Sequence, residues 1–391
     1  MAVNFKYIVV GRGLMGAAAA RHLARQADGV AVIGPDEPAE RKTHGGVFAS
    51  HYDEGRITRT IDPDRNWALL ANRSIDRYGE ITSESGIDFY REVGCVVVAP
   101  DGGDYLERTR QAAVSLGVET SLLDTARLKT AFPFFAFPGG SAGVFQARGA
   151  GHISPRKLVK AQSLLAERAG AAVIRDHVVS IRQEGGLATV ETAGGVTYRG
   201  EKVLLAAGGF SIAENLLPQP VAMTVYGRTV TLFEVSEADV ARLVAMPSLI
   251  LDVPGIHIYL LPPIRYPDGR FYLKIGGDPD DLVLRSDAEM RAWFRTEGRE
   301  SVRSHLQRIV ADLVPNLAPL SISTAACVVS YTESGYPMIG YTSSPGIAVL
   351  TGCAGTSAKS SDEIGRLGAE LLLSGRISEQ GYSTDFTPYF R

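Results

Sequence analysis

Three glycines at fixed spacing, two arginines three residues apart and a lysine between apolar neighbours are the residues here whose types suit chemistry. Gly11, Gly13 and Gly16 stand as G-x-G-x-x-G inside Lys6-Tyr-Ile-Val-Val-Gly-Arg-Gly-Leu-Met-Gly-Ala-Ala-Ala-Ala. In a strand–turn–helix setting the first glycine permits a tight turn. The second lets backbone approach a pyrophosphate, and the third lets the helix pack on the strand. The helix N-terminus then offers unpaired N–H groups and partial positive charge to that pyrophosphate. The spacing alone is weak; an apolar β-branched run before it and an alanine-rich run after it make it a dinucleotide fingerprint. Arg56 and Arg59 fall in the polar, glycine-bearing loop 43–59. A helical turn there would put both guanidiniums on one side. Lys274 precedes Gly276-Gly277 on an expected strand. Pointing inward it needs a task or a partner; on an edge strand it would guard against aggregation. Lys359 sits in a Gly/Ser/Thr-rich loop before a helix, where a surface cation is the plain alternative. Cys327 reads by composition as an ordinary buried cysteine.

The elements that must position these groups follow from periodicity. Tyr7 to Val10 and Val30 to Ile33 read as buried parallel strands around the first helix. The residue after the second strand, where an acid commonly meets the adenosine ribose, is Gly34; Asp36 either reaches the ribose from a shifted turn or is a solvated turn acid. Residues 67–91 and 108–132 read as mainly helical. Ser154-Pro155 opens a helix closed by Gly170. Strands are expected at 172–174, 178–181, 188–191 and 202–206, the last ending in Gly208-Gly209, an ending that admits a bound cofactor. Strands at 225–235, 256–261 and 270–276 follow, with Pro262-Pro263 and Pro267-Asp-Gly269 as turns. A long helix spans 287–313, strands return at 325–331 and 347–350, and a helix covers 361–373. The second half lacks a βαβ rhythm, which points to a mixed-sheet substrate domain.

At 391 residues two domains are the natural division. Net charge is −3, so the basic footprint of a nucleic-acid binder is absent. No apolar run reaches the roughly 18 residues of a spanning helix. Cys95, Cys327 and Cys353 form neither a disulfide framework nor a metal pattern. The first strand begins too early for a signal peptide to precede it, so a cytoplasmic location is expected.

Read together, five stretches resemble the glutathione-reductase-like FAD oxidoreductases of the D-amino-acid-oxidase superfamily, most closely the monomeric sarcosine oxidase group with its pipecolate and fructosyl-amino-acid oxidase relatives. They are Gly11-Arg-Gly-Leu14-Met15-Gly16, Ser50-His51 with Arg56-Ile-Thr-Arg59, Leu205-Ala-Ala207-Gly208-Gly209, Leu273-Lys274-Ile-Gly, and Ala326-Cys327-Val-Val-Ser-Tyr-Thr332. The resemblance implies a discontinuous FAD-binding domain of Rossmann type (1–80, 145–215, 322–391) and a mixed-sheet α+β substrate domain (81–144, 216–321). It implies a monomer or homodimer that passes hydride from a secondary amino acid to flavin N5 and then reduces O2 to hydrogen peroxide. Primary-amine or dehydrogenase relatives, and flavin subunits of hetero-oligomeric opine or sarcosine oxidases, are the alternatives.

On the same resemblance, Arg59 and Lys359 clamp the substrate carboxylate. Lys274 holds a water at flavin N5 and supplies charge where superoxide forms. Cys327 bonds the flavin 8-methyl carbon. Ser50, His51 and Arg56 contact the isoalloxazine or ribityl chain, Gly355, Thr356 and Lys359 also bind the cofactor, and Tyr259 lines the substrate pocket or is simply half-buried in its sheet. Val178, with Val179 fitting almost as well, meets the adenine. No metal is required, because the flavin carries the redox chemistry. Asp278 stands where sarcosine oxidases have a histidine and Val329 where they have a tyrosine. With the clamp retained, these changes imply a bulkier N-substituted amino acid, its substituent facing Asp278.

Overall fold

The computed structural model describes residues 3–378 and 381–391, and three sheets organise them. In the first, Val3–Val10 lies between Val30–Ile33 and Thr197–Leu205, all parallel, because Tyr7 to Val10 is apolar on both faces and is covered on both. Ala172–Ile174 extends this sheet beyond Val30–Ile33, and Ile347–Thr351 pairs parallel with the end of Thr197–Leu205. Helix Leu14–Ala24 enters directly from the glycine turn. It packs against Pro155–Arg168 and the C-terminal helix Ser361–Ser374. Ser154 caps the middle one, accepting from the Lys157 N–H, with Pro155 at the first helical position as expected.

Charge buried at this helix junction is paired. Asp362 is inaccessible and accepts from Arg21 Nη2 at 2.8 Å, Gln162 Nε2 at 2.7 Å and Arg77 Nε at 2.5 Å. Burial opposes its ionisation, yet His22 and the two arginines hold its pKa well below the usual carboxylate range. The C-terminal helix is thereby tied to the first helix and to the segment around Arg77.

The second sheet is mixed, in the order 282–284, 224–235, 271–276, 256–265, 248–253, 95–100, 141–146 and 121–123, with 321–331 also paired to 224–235. Lys274 therefore lies on an internal strand, which removes the edge-strand reading. A small third sheet pairs Arg56–Thr58 and Tyr90–Arg91 with Gly151–Ile153.

Several expected boundaries shift, each for a local reason. The stretch 67–91 is two helices, Arg65–Ile75 and Tyr78–Ser85, then a strand; Gly86, with φ of 71°, ends the second helix. The stretch 108–132 is interrupted by the strand Ser121–Leu123 between Asp104–Ser115 and Thr125–Ala131. The expected 287–313 helix breaks into Asp287–Phe294 and Glu300–Leu313 at Gly298, where φ is 89° and a Cβ would strike Thr229. Pro262 and Pro263 are inside the strand Ile256–Arg265 rather than in a turn, because pairing slips between Leu261 and Ile264 and spares the missing N–H groups. Cys95–Pro100 is a strand with no sequence alternation, buried along Cys95 to Ala99.

Close approach of the first and last helices depends on Gly365, where a Cβ would lie 2.5 Å from Ala18 Cβ and 2.7 Å from Ala19 N. Gly365→Ala should lower stability by ~1–3 kcal/mol, read as a fall in urea midpoint. Gly79→Ala, on a helix but facing open space, should be neutral or slightly stabilising in the same assay.

Candidate active site

A groove of about 360 Å³ runs from Gly34 and Val178, past the glycine loop, to Arg56 and Cys327. Its floor is built by close backbone packing. Gly11 has φ of 106° and a Cβ there would lie 2.3 Å from Ala206 O; a Cβ on Gly16 would lie 1.8 Å from Gly11 O. Gly16 thus packs behind the loop, while Gly11, Gly13, Leu14 and Met15 line the groove. The helix begins at Gly13 without a side-chain cap, leaving its first N–H groups for a ligand. His51 also lines the groove, and its buried Nδ1 has no partner. Burial first, and the Arg156, Arg12 and Arg56 charges second, push its pKa down to about 3. It is a neutral imidazole with one nitrogen reserved for whatever fills the groove.

Ser50, Arg56, Val178, Ala207, Gly208, Cys327 and Gly355 also line the groove, as does Val179. Three of the expected cofactor residues stand elsewhere. Asp36 is exposed and ion-paired to Arg12 and Arg175, so Gly34 and Pro35 form the wall where it was expected. Thr356 is exposed and off the lining, and the Lys359 side chain turns away into the protein.

At the far end Arg56 belongs to a strand, so it and Arg59 diverge instead of sharing one side of a helical turn. Arg56 Nη2 donates to Ser50 O at 2.9 Å and lies 3.7 Å from Cys327 Sγ. A second cavity of about 210 Å³ meets the groove at Ser50, Arg56 and Cys327 and extends to Asp53 and Tyr266. Lys274 is fully buried beside it. Its ammonium donates to Asp53 Oδ2 at 2.5 Å and Gly55 O at 2.7 Å, and lies 5.5 Å from the Tyr259 ring centre. Burial first, and the Arg56 charge second, lower the lysine pKa well below its ordinary value. Asp53 also pairs with Arg56 and accepts from Tyr266 Oη at 2.8 Å. Tyr259 is half-buried opposite Gly276, and burial raises its phenol pKa.

Arg59 and Lys359 do come together, but not as an open clamp. Both hold Asp62: Arg59 Nη1 at 2.8 Å and Lys359 Nζ at 3.0 Å from the same oxygen. All three side chains are 3–6% exposed, and none lines either cavity. Burial raises the Asp62 pKa, but Lys359 and then Arg59 outweigh it and bring the value down to about 2. Asp278 is likewise not free to meet a substituent. It is ion-paired with Arg299 at 3.1 Å and accepts the Thr229 N–H, although burial raises its pKa. Sequence reading missed Asp53 and Asp62; the signal was their spacing, three residues before Arg56 and three after Arg59.

Residues 6–371 match the family described as FAD dependent oxidoreductase. The chain belongs to that family. The FAD-dependent oxidoreductases most similar in sequence include monomeric sarcosine oxidase of Bacillus sp. (strain NS-129), 25% identical over 388 residues covering 96% of this chain and 95% of that one. N-methyl-L-tryptophan oxidase of Citrobacter koseri is 25% identical over 223 residues, covering 56% and 58%. Among solved structures, NikD, an unusual amino acid oxidase essential for nikkomycin biosynthesis, superposes with a TM-score of 0.77 at 19% identity, covering 100% of this chain and 98% of that one. Glycine oxidase from Geobacillus kaustophilus gives 0.71 at 21%, covering 99% and 98%. These structures share the fold, a Rossmann-type FAD-binding half joined to a mixed-sheet half. The glycine floor, the uncapped helix and the orphan His51 nitrogen suit FAD, the family's cofactor.

His51 and His152 are both kept neutral by burial, with pKa values of about 3 and about 4 against 6.5 when free. The unfolded chain therefore binds more protons between those limits, and stability falls as pH drops through that window. His152→Gln should reduce the loss of unfolding free energy between pH 7 and pH 4.5 by on the order of 2 kcal/mol, measured in urea.

Proposed function

We propose that this FAD-dependent oxidoreductase oxidises the C–N bond of a secondary amine. The meeting of Arg56 and Cys327 where the groove joins the second cavity, with Lys274 buried behind them on Asp53, carries the reading. The glycine loop would hold the pyrophosphate and Val178 the adenosine, which would leave Arg56 and Cys327 to hold the redox ring. The glycine loop, His51 and Arg56 would hold FAD, which would supply hydride acceptance from the carbon beside a neutral amine nitrogen and reoxidation by O2 to hydrogen peroxide, leaving an imine that water would hydrolyse. The chain's own work is electrostatic and geometric. Arg56 sets a positive charge where reduction builds negative charge. Lys274, anchored by Asp53 and Gly55 O, adds a second cation on the side of the other cavity. His51 remains uncharged and hydrogen-bonds along the cofactor. Cys327, half-buried with its thiol on the groove, would form a thioether to the flavin 8-methyl carbon, losing the thiol proton and a methyl hydrogen while the flavin takes the electron pair and returns it to O2.

A dehydrogenase with an acceptor other than O2 is the second reading. Asp53 favours it, since its carboxylate offsets the positive charge of Lys274 and Arg56, charge that would otherwise stabilise superoxide.

The purified protein should be yellow, bleach with a secondary amine under argon, and regain colour in air. Bleaching with no return in air selects the dehydrogenase, and colourless protein that takes up no FAD ends both readings. Acid precipitation should leave flavin in the pellet for the wild type and in the supernatant for Cys327→Ala. Lys274→Met should slow the return of colour by about tenfold or more.

A further inference from the structure

We propose that Asp62 is a built-in carboxylate filling the anion site formed by Arg59 and Lys359, so that the substrate is an amine with no free carboxylate on the oxidised carbon. This rests on the amine-oxidising reading above. One oxygen of Asp62 receives both cations, and the other accepts the Asp64 N–H at 3.1 Å. Arg59 Nη1 is committed again, to Ile61 O at 2.5 Å.

The carboxylate is held by backbone that has little freedom to withdraw it. The Thr60 and Ile61 N–H groups both donate to Gln146 Oε1, at 3.0 and 3.1 Å. Gln146 is itself buried, and its amide donates to Arg148 O at 2.9 Å. On the other side Asp64 caps the helix Arg65–Ile75, accepting the Trp67 N–H at 3.0 Å. Asp62 thus lies between two fixed points two residues to either side. Lys359 is fixed as well: its carbonyl accepts from Tyr78 Oη at 3.1 Å, and its ammonium lies 6.0 Å from the Trp67 ring centre.

An incoming carboxylate would compete with Asp62 for the same two donors. Both cations are 3–6% exposed and line neither cavity, so a second carboxylate could reach them only by displacing Asp62. Val329 and the Tyr331 hydroxyl flank Gly355, whose absent Cβ would sit 3.7 and 3.6 Å from them. The acids toward the redox end are already paired: Asp53 with Lys274 and Arg56, Glu37 with Arg156, and Asp278 with Arg299. Such surroundings take a neutral substituent at no charge-burial cost, whereas a buried carboxylate needs a partner.

Two measurements test this on the flavin-loaded protein. The first is anaerobic flavin reduction by a matched pair, N-methylphenylalanine and N-methylphenethylamine, which differ only in the carboxylate. The wild type should be reduced faster by the amine, by about tenfold or more. Asp62→Ala, with Asp62→Asn as the variant that keeps the side chain's shape, should narrow or reverse that preference. The second is thermal denaturation with acetate as the anion probe, which needs no turnover. Acetate should leave the wild-type midpoint unmoved and raise that of Asp62→Ala saturably. Faster wild-type reduction by the acid, or acetate stabilisation of the wild type that disappears in Lys359→Met, overturns the proposal. If neither compound reduces the flavin, the amine-oxidising reading fails by itself, and the acetate measurement still decides whether Asp62 fills the anion site.

Discussion

Buried charge must find a partner, and that constraint shapes the redox end of this protein. Lys274, Arg59 and Lys359 are all nearly or wholly inaccessible, and a cation so placed is tolerated only when paired and hydrogen-bonded. Asp53 answers Lys274 and Arg56, and Asp62 answers Arg59 and Lys359. Each group is left with one excess positive charge. The two acids flank the short strand Arg56–Thr58, so one local segment sets the charge at both places.

The rest of the fold holds that segment against the groove. Arg56–Thr58 pairs with Gly151–Ile153, which leads through Ser154 into a helix packed on the first helix. The C-terminal helix, beginning just after Lys359, is bound to the same first helix by Asp362 and by the close approach at Gly365. Residues from both ends of the chain therefore keep fixed positions around one cavity. Cys327 reaches it from the second sheet, through a strand paired along Thr224–Val235.

Much of the dinucleotide half was legible in sequence because its signals are local. A glycine turn, an apolar run on each side and a Ser-Pro helix start each depend on a few consecutive residues. The second sheet was harder. Cys95–Pro100 has no alternation to read, and Pro262-Pro263 imitates a turn while lying in a bulged strand. The helix break at Gly298 depends on the close approach of Thr229, some seventy residues earlier in the chain, which no local window contains.

For the site itself, sequence determined which side chains carry charge and where backbone is free of side chains: the glycine loop, the Arg56 and Arg59 pair, Lys274, Cys327 and Lys359. Those are properties of residue type and short spacing. Tertiary structure alone decided which of these charges already have partners. Asp62 meets Lys359 only because the two ends of the chain fold together, and Asp278 is neutralised only because Arg299 packs beside it. Coulombic pairing acts through space, so its outcome is fixed by distance after folding and not by order along the chain.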